Sequence, residues 1–186
     1  MIRRVMRYVV SIITLVGLAA PATAPAQQLR ESGVPLSIAA SYRATSTNTQ
    51  MTTAVGTVEC AKVTLQLVVT ENSTVVSRSE TGFMQTTGCK ITKGGGGESP
   101  VTITGGSVDF ALLGSGSGLV DFAFTSDIPE VPIPCHWTGS AGPMSYTTNS
   151  STVTVSVSMA SFQCGLGNLT GTFTLETLGG QAITIS

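Results

Sequence analysis

Residues 153–159 are Val-Thr-Val-Ser-Val-Ser-Met, a run in which apolar and polar side chains alternate. Successive side chains of a β-strand point to opposite faces, so this period of two predicts a strand with one buried face. Similar alternation occurs in residues 63–69, 108–112, 120–124 and 169–175. Since no stretch after residue 26 has the apolar spacing of a helix, these runs predict an all-β chain.

Turn signals between the runs predict about ten short strands in an antiparallel sandwich or barrel, and both architectures remain open. We expect a first strand over Val34 to Tyr42, a turn at Gly105-Gly106 and a β-hairpin around Gly114 to Gly118. Three prolines in residues 128–134 remove ladder donors, which predicts an extended edge or crossover segment there.

The four cysteines form two intervals of equal length, Cys60 to Cys89 and Cys135 to Cys164, each spanning 29 positions. Four cysteines allow three pairings. Sequential pairing, Cys60–Cys89 and Cys135–Cys164, is the one we favour because it closes two separate loops whose ends lie at strand termini. The equal lengths suit either an internal duplication or coincidence.

Residues 1–26 have the three parts of a secretory signal peptide: basic residues, a short apolar stretch, and small residues that end in A-x-A. We place cleavage after Ala26, because cleavage after Ala24 would leave Pro25 at the new N-terminus. The Arg3-Arg4 pair leaves twin-arginine export open as an alternative route. The organisation we expect is therefore a signal peptide over residues 1–26 and a single all-β domain over residues 27–186, with no transmembrane segment in the mature chain.

The composition indicates a protein of the extracellular space or cell surface. Charged residues make up 10% of the chain, and Ser and Thr make up roughly a quarter, where ordinary soluble domains have about 25% charged residues. An even cysteine count behind a signal peptide is typical of disulfides in an oxidising compartment. Without residues 1–26, six basic and ten acidic residues remain, a net charge of −4 that opposes binding to nucleic acid.

His136 lies between Cys135 and Trp137 and is the single histidine of the sequence. A Cys-His nucleophile pair would need both side chains on one side, but neighbours in a strand diverge. We therefore interpret His136 as a surface residue beside a disulfide. The sequence has no C-x-x-C pair and no second histidine for a metal centre, and its glycine runs lack the Lys-Ser/Thr end of a phosphate-binding loop. These patterns predict neither a metal nor a cofactor.

Carboxylates are the remaining candidates for catalysis. A glycoside hydrolase needs two carboxyl groups about 5–10 Å apart. Asp109 and Asp121 occupy adjoining strands of the expected hairpin and could face each other, although solvated outward faces are the plainer interpretation. The other candidates are Asp127, Glu130 and Glu176. We assign no catalytic residue from the sequence.

Several short motifs resemble those of uncharacterised secreted proteins of high-GC Gram-positive bacteria. The motifs are Gly56 to Cys60, Gly88-Cys89, Cys135 to Gly139 and Cys164 to Phe173. The resemblance implies an exported β-protein with paired disulfides, and it implies no activity, cofactor or catalytic residue.

Taken together, these patterns predict a non-enzymatic exported protein that binds a partner or contributes to the cell envelope. A cell-envelope component, a glycan or a protein are the partners we expect. A secreted carboxylate-dependent hydrolase and a small secreted inhibitor are the alternatives.

Overall fold

A computed structural model describes residues 27–114, 116–129 and 131–186. The expected signal peptide, residues 1–26, lies outside the described residues. The described part is all-β, and its strands are β1 (Leu29–Glu31), β2 (Val34–Pro35), β3 (Ser41–Ser46), β4 (Gln50–Thr53), β5 (Gly56–Asn72), β6 (Ser77–Thr92), β7 (Glu98–Pro100), β8 (Thr102–Leu112), β9 (Ser117–Asp127), β10 (Cys135–Tyr146), β11 (Thr152–Ser161), β12 (Gly165–Thr177) and β13 (Ile183–Ile185).

The main sheet closes on itself as an antiparallel barrel, which decides between the two predicted architectures. From β5 the order runs through β6, β8, β9, β10, β11 and β12, so neighbours in the sheet are also neighbours in the chain, apart from the short β7. Strands β3 and β4 complete the ring, because both pair with β12 on one side and with β5 on the other. Closure removes the exposed edges that an open sheet would have.

The inward faces of these strands form the core. The alternating residues 63–69 and 153–159 behave as predicted, since their apolar members are buried while Thr154, Ser156 and Ser158 face solvent. Trp137 and Phe173 are among the largest fully buried side chains. The Ser/Thr-rich positions therefore form the outer surface of the barrel, and the apolar positions fill its interior.

A second, three-stranded sheet of β13, β1 and β2 lies at one end of the barrel. Leu29, Ile183 and Ile185 from this sheet are buried. The Asn72 side chain joins it to the barrel, because its Oδ1 accepts from the Leu29 N–H at 3.0 Å and its Nδ2 donates to the Leu29 carbonyl at 2.9 Å. The two ends of the described chain are thereby held together.

Both predicted disulfides are present, Cys60–Cys89 and Cys135–Cys164. Cys60 and Cys89 are directly opposed in the β5–β6 ladder. Cys135 begins β10, and Cys164 follows β11, so the second disulfide joins the base of the β10–β11 hairpin. Each staple therefore closes a hairpin, as the cysteine spacing predicted.

Two local predictions were wrong. Val34 to Tyr42 is not one strand, because the chain turns between β2 and β3, where Ala39 has a φ of 69°. Gly105 and Gly106 are not a turn, because they lie within β8, and the register against β9 shifts between Thr104 and Gly106. The shift is a β-bulge, which glycine tolerates at positive φ.

Candidate functional site

Strand β6 pairs with β8 at one end and with β7 at the other, and its pairing on this side is interrupted in between. One end pairs Ser77–Glu80 of β6 with residues 109–112 of β8. At the other end, β6 pairs with β7 through residues 90–92, and the Val101 N–H donates to the Cys89 carbonyl at 2.9 Å. Between these ends, residues 81–88 of β6 and residues 102–108 of β8 are not paired with each other. We call this interval the side slot.

Local sequence explains why the ladder lapses there. The bulge at Gly105-Gly106 bends β8 while β8 keeps its pairing with β9. At one end of the slot the Thr81 hydroxyl replaces ladder bonds, since its Oγ1 donates to the Val108 carbonyl and accepts from the Val108 N–H. Side chains of this kind compete with regular pairing by bonding to backbone groups.

Behind the side slot lies a cavity of about 30 Å³. Nine of its twelve lining residues are buried, and the three partly exposed ones, Met84, Thr86 and Ile103, belong to the two strands of the slot. The cavity therefore reaches the surface between β6 and β8. Its buried lining residues are Thr49, Met51, Val58, Cys60, Val63, Phe122, Phe124, Leu169 and Phe173.

Thr49 is the polar exception in the buried part of this lining. Its side chain is 8% exposed, and its hydroxyl oxygen is buried with no hydrogen-bond partner among the described residues. The neighbouring strand β12 leaves room for the hydroxyl, because a Cβ on the inward-facing Gly171 would lie only 3.0 Å from Thr49 Oγ1. Most buried polar groups have a partner, so an unpaired one marks a place where a ligand or a water belongs.

The short segment between β3 and β4, residues 47–49, places Thr49 at this wall. The Asn48 Oδ1 accepts from the Thr172 N–H at 3.0 Å, so a side chain of this segment satisfies a backbone group of β12. Asn48 also accepts from the Ser46 hydroxyl at 2.9 Å. These bonds hold the turn without using the Thr49 hydroxyl, which remains directed to the interior.

Met84 fills the side slot. A Cβ built on Gly106 would lie 2.5 Å from Met84 Cε, so the methionine methyl group occupies the space that a side chain at position 106 would need. Methionine is unbranched and flexible. It is therefore the residue whose movement would widen the opening.

A second candidate site lies on the outer surface of the barrel, where three carboxylates form a row. The registers place Glu80 opposite Asp109 and Asp109 opposite Asp121. The pair of Asp109 and Asp121 is the facing arrangement considered from the sequence, whereas Glu80 was not among the candidates. The three share a cleft of about 280 Å³ with Arg78 and Ala141. Among the described residues, however, no group of three or more His, Cys, Asp or Glu side chains is placed to hold a metal ion.

The environments of these carboxylates differ. Partial burial raises the pKa of Asp109, and the neighbouring charges of Glu80 and Asp121 raise it further. Asp121 Oδ1 accepts a hydrogen bond of 2.6 Å from the Ala141 N–H, which comes from a bulge in β10.

Among the described residues, the other two candidate carboxylates, Asp127 and Glu176, do not join this row. Glu176 forms an ion pair of 3.2 Å with Arg43. Asp127 ends β9 opposite Thr102, and Glu130 lies outside the described residues. The sequence alone could not separate these acids from Asp109 and Asp121, because the difference depends on strand register.

His136 is a surface residue, as expected. Its ring Nδ1 is 2.9 Å from the Thr125 hydroxyl on the outer face, while Cys135 and Trp137 on either side are fully buried. Cys135 is bonded to Cys164 and is not a free thiolate. Trp137 donates from Nε1 to the Ser126 hydroxyl at 2.9 Å inside the barrel.

Sequence reasoning missed the side slot and its residues. One signal was available: the Gly105-Gly106 pair, which interrupts an otherwise strand-like stretch and which we interpreted as a turn.

No helix among the described residues is long and apolar enough to cross a membrane. Comparisons with protein-family models, with curated proteins and with solved structures gave no match.

Proposed function

We propose that this chain is a non-enzymatic exported protein that binds a small apolar partner inside its barrel, through the side slot. The observation that carries the proposal is the apolar cavity that reaches the surface between β6 and β8. Binding sites for small molecules are concave and mostly apolar, with a few polar groups that orient the ligand. The mouth and interior of a small barrel are common places for such sites.

The N-terminal sequence and the disulfides support export. Residues 1–26 have the pattern of a signal peptide. The two disulfides suit the oxidising space outside the cytosol. The resemblance to secreted proteins of high-GC Gram-positive bacteria points to the same place, the extracellular medium or the cell envelope.

Xenon-129 NMR on the folded mature chain tests the proposal, because xenon enters apolar cavities without needing a polar contact. We expect wild type to shift the xenon resonance in proportion to protein concentration. Thr86→Trp should abolish this shift because Thr86 lines the slot. Thr87→Trp is the matched control, since Thr87 is the next residue of β6 and faces solvent. Xenon binding that survives Thr86→Trp, or no binding by wild type, would refute the proposal.

A second candidate function, a carboxylate-dependent glycoside hydrolase, is favoured by the pair Asp109 and Asp121. Directly opposed residues have Cβ atoms about 4.5–5.5 Å apart, close to the ~5–5.5 Å between the carboxyl groups of retaining glycosidases. Release of reducing ends from cell-wall glycans, lost in Asp121→Asn and kept in Asp127→Asn, would support it. Absence of any release by wild type would remove this candidate.

A further inference from the structure

We propose that the ligand of the cavity is a short, uncharged aliphatic molecule with one hydroxyl or carbonyl group, an alcohol or a ketone, whose polar group bonds to Thr49. This inference rests on the proposed function and adds the chemical class of the ligand. Thr49 carries it, because its hydroxyl is buried at a cavity wall and has no partner among the described residues. A hydroxyl both donates and accepts, so it can bind either an alcohol or a ketone.

The lining excludes charged ligands. The twelve lining residues include no Lys, Arg, His, Asp or Glu. Moving a carboxylate into such surroundings without a countercharge costs far more than a single hydroxyl can return. A fatty acid would therefore bind only in its protonated form, whereas an alcohol of the same length leaves one polar group to satisfy, and Thr49 can satisfy it.

The geometry also sets the orientation. Thr49 lies in the segment between β3 and β4, beside β12, and in the ring of strands only β5 separates this segment from β6 and the side slot. A molecule that enters between β6 and β8 with its polar group first places that group at Thr49. Its alkyl chain then lies among Phe122, Phe124 and Phe173, and its end reaches the slot.

Met84 must move for such a molecule to fit. A cavity of about 30 Å³ holds a water molecule but no alkyl chain. Met84 is partly exposed at the slot, in the part of β6 without a register to β8. Swinging its side chain outward opens the cavity without breaking a ladder bond, so Met84 acts as the gate.

The test titrates the folded mature chain with 1-hexanol and with hexanoate at pH 7, followed by NMR of side-chain methyl groups. We expect 1-hexanol to bind at least tenfold more tightly than hexanoate. Thr49→Val should weaken 1-hexanol roughly three- to tenfold, the effect of one hydrogen bond, and leave xenon binding unchanged. Thr47→Val is the matched control, because Thr47 lies two residues away in the same segment between β3 and β4 but is exposed.

Met84→Ala tests the gate. Removing the side chain from the slot should tighten 1-hexanol binding several-fold, whereas Met144→Ala, a buried methionine outside the lining, should not. Equal affinities of wild type and Met84→Ala would refute the gate.

The outcomes separate this inference from the proposed function. If xenon binds but Thr49→Val leaves 1-hexanol affinity unchanged, the cavity is a binding site and the assigned polar contact is wrong. Hexanoate binding as tightly as 1-hexanol would overturn the preference for uncharged ligands. A crystal structure with 1-hexanol that shows only a water on Thr49 would overturn the ligand class. Failure of xenon to bind would instead refute the proposed function itself.

Discussion

The raised pKa of Asp109 depends in part on strand register, which its neighbours in the sequence do not reveal. It lies between two apolar inward-facing residues, so it points outward, as Val108 and Phe110 require. Glu80 on one side and Asp121 on the other then face it across the sheet. Like charges opposed in this way destabilise a sheet, and the raised pKa of Asp109 reflects partial burial first and this repulsion second.

We predict that Asp109→Asn raises the free energy of unfolding at pH 7 by a few tenths to about 1 kcal/mol, the range for cross-strand charge pairs. Because the folded pKa of Asp109 is raised above the unfolded value of about 3.9, the contribution of this carboxyl group to stability is most favourable below that value and is lost as the pH rises through the folded pKa. The gain should therefore vanish below about pH 3.5. Urea denaturation at a series of pH values measures it.

Asp127→Asn is the control for this prediction, because it removes a carboxylate opposite Thr102 and outside the row. An equal gain from Asp127→Asn would mean that net charge, and not the facing carboxylates, limits stability.

At the scale of elements, the equal cysteine intervals have a structural counterpart. If β3 and β4 count as one strand position, the described barrel has eight positions in two halves of four, one from β3/β4 to β8 and one from β9 to β12. The Cys60–Cys89 disulfide joins β5 to β6, the second and third strands of the first half. The Cys135–Cys164 disulfide closes the β10–β11 hairpin, the second and third strands of the other half. The two staples thus join equivalent pairs of strands. The intervals are equal although β5 and β6 are longer than β10 and β11, because Cys60 and Cys89 lie inside their strands while Cys135 and Cys164 lie at the base of the shorter hairpin.

We predict that removing either disulfide, as Cys60→Ala with Cys89→Ala or as Cys135→Ala with Cys164→Ala, lowers the free energy of unfolding by about 3–4 kcal/mol. The two losses should be similar because both loops span 29 positions, and loop length sets the entropy of the unfolded chain in the simple model. Guanidinium denaturation of both double variants measures them. A loss below about 1 kcal/mol for either pair would contradict this account.

At the scale of the whole molecule, stability should be uneven around the barrel. The β8–β9, β9–β10 and β11–β12 ladders run over most of their strands, while β6 and β8 are paired at one end of their shared boundary and separated by the side slot beyond it. Regions with exposed, unpaired backbone open with smaller free energies than a continuous sheet does. The proposed binding site thus lies in a weakly paired part of the wall.

We predict that the amides of residues 82–88 that face β8 exchange hydrogen much faster than the amides of β11 that face β12, since the former lack ladder partners and the latter have them. Hydrogen exchange followed by NMR measures both in one experiment. The alternate amides of the same segment, which pair with β5, serve as the internal control. Equal protection of both sets would mean that β6 and β8 are joined in solution and that the side slot is closed.

The sequence by itself determined the all-β class, the inward faces of the regularly alternating strands and the disulfide pairing. Alternation in residues 63–69 and 153–159 depends only on the local geometry of a strand, so it predicted the buried faces correctly. The disulfide pairing followed from spacing along the chain. The turn expected at Gly105-Gly106 failed because glycine permits both a turn and a bulge, and only the pairing of β8 with β9 selects the bulge.

Only the tertiary structure decided that the sheet closes and that Thr49 faces a cavity behind Met84. Closure depends on β12 meeting β3 and β4, more than a hundred positions apart in the chain, and no local pattern encodes that contact. Thr49 looked like one of many hydroxyl residues in a polar stretch. Its meaning comes from Gly171, Phe173 and the side slot, which distant strands bring around it when the barrel closes.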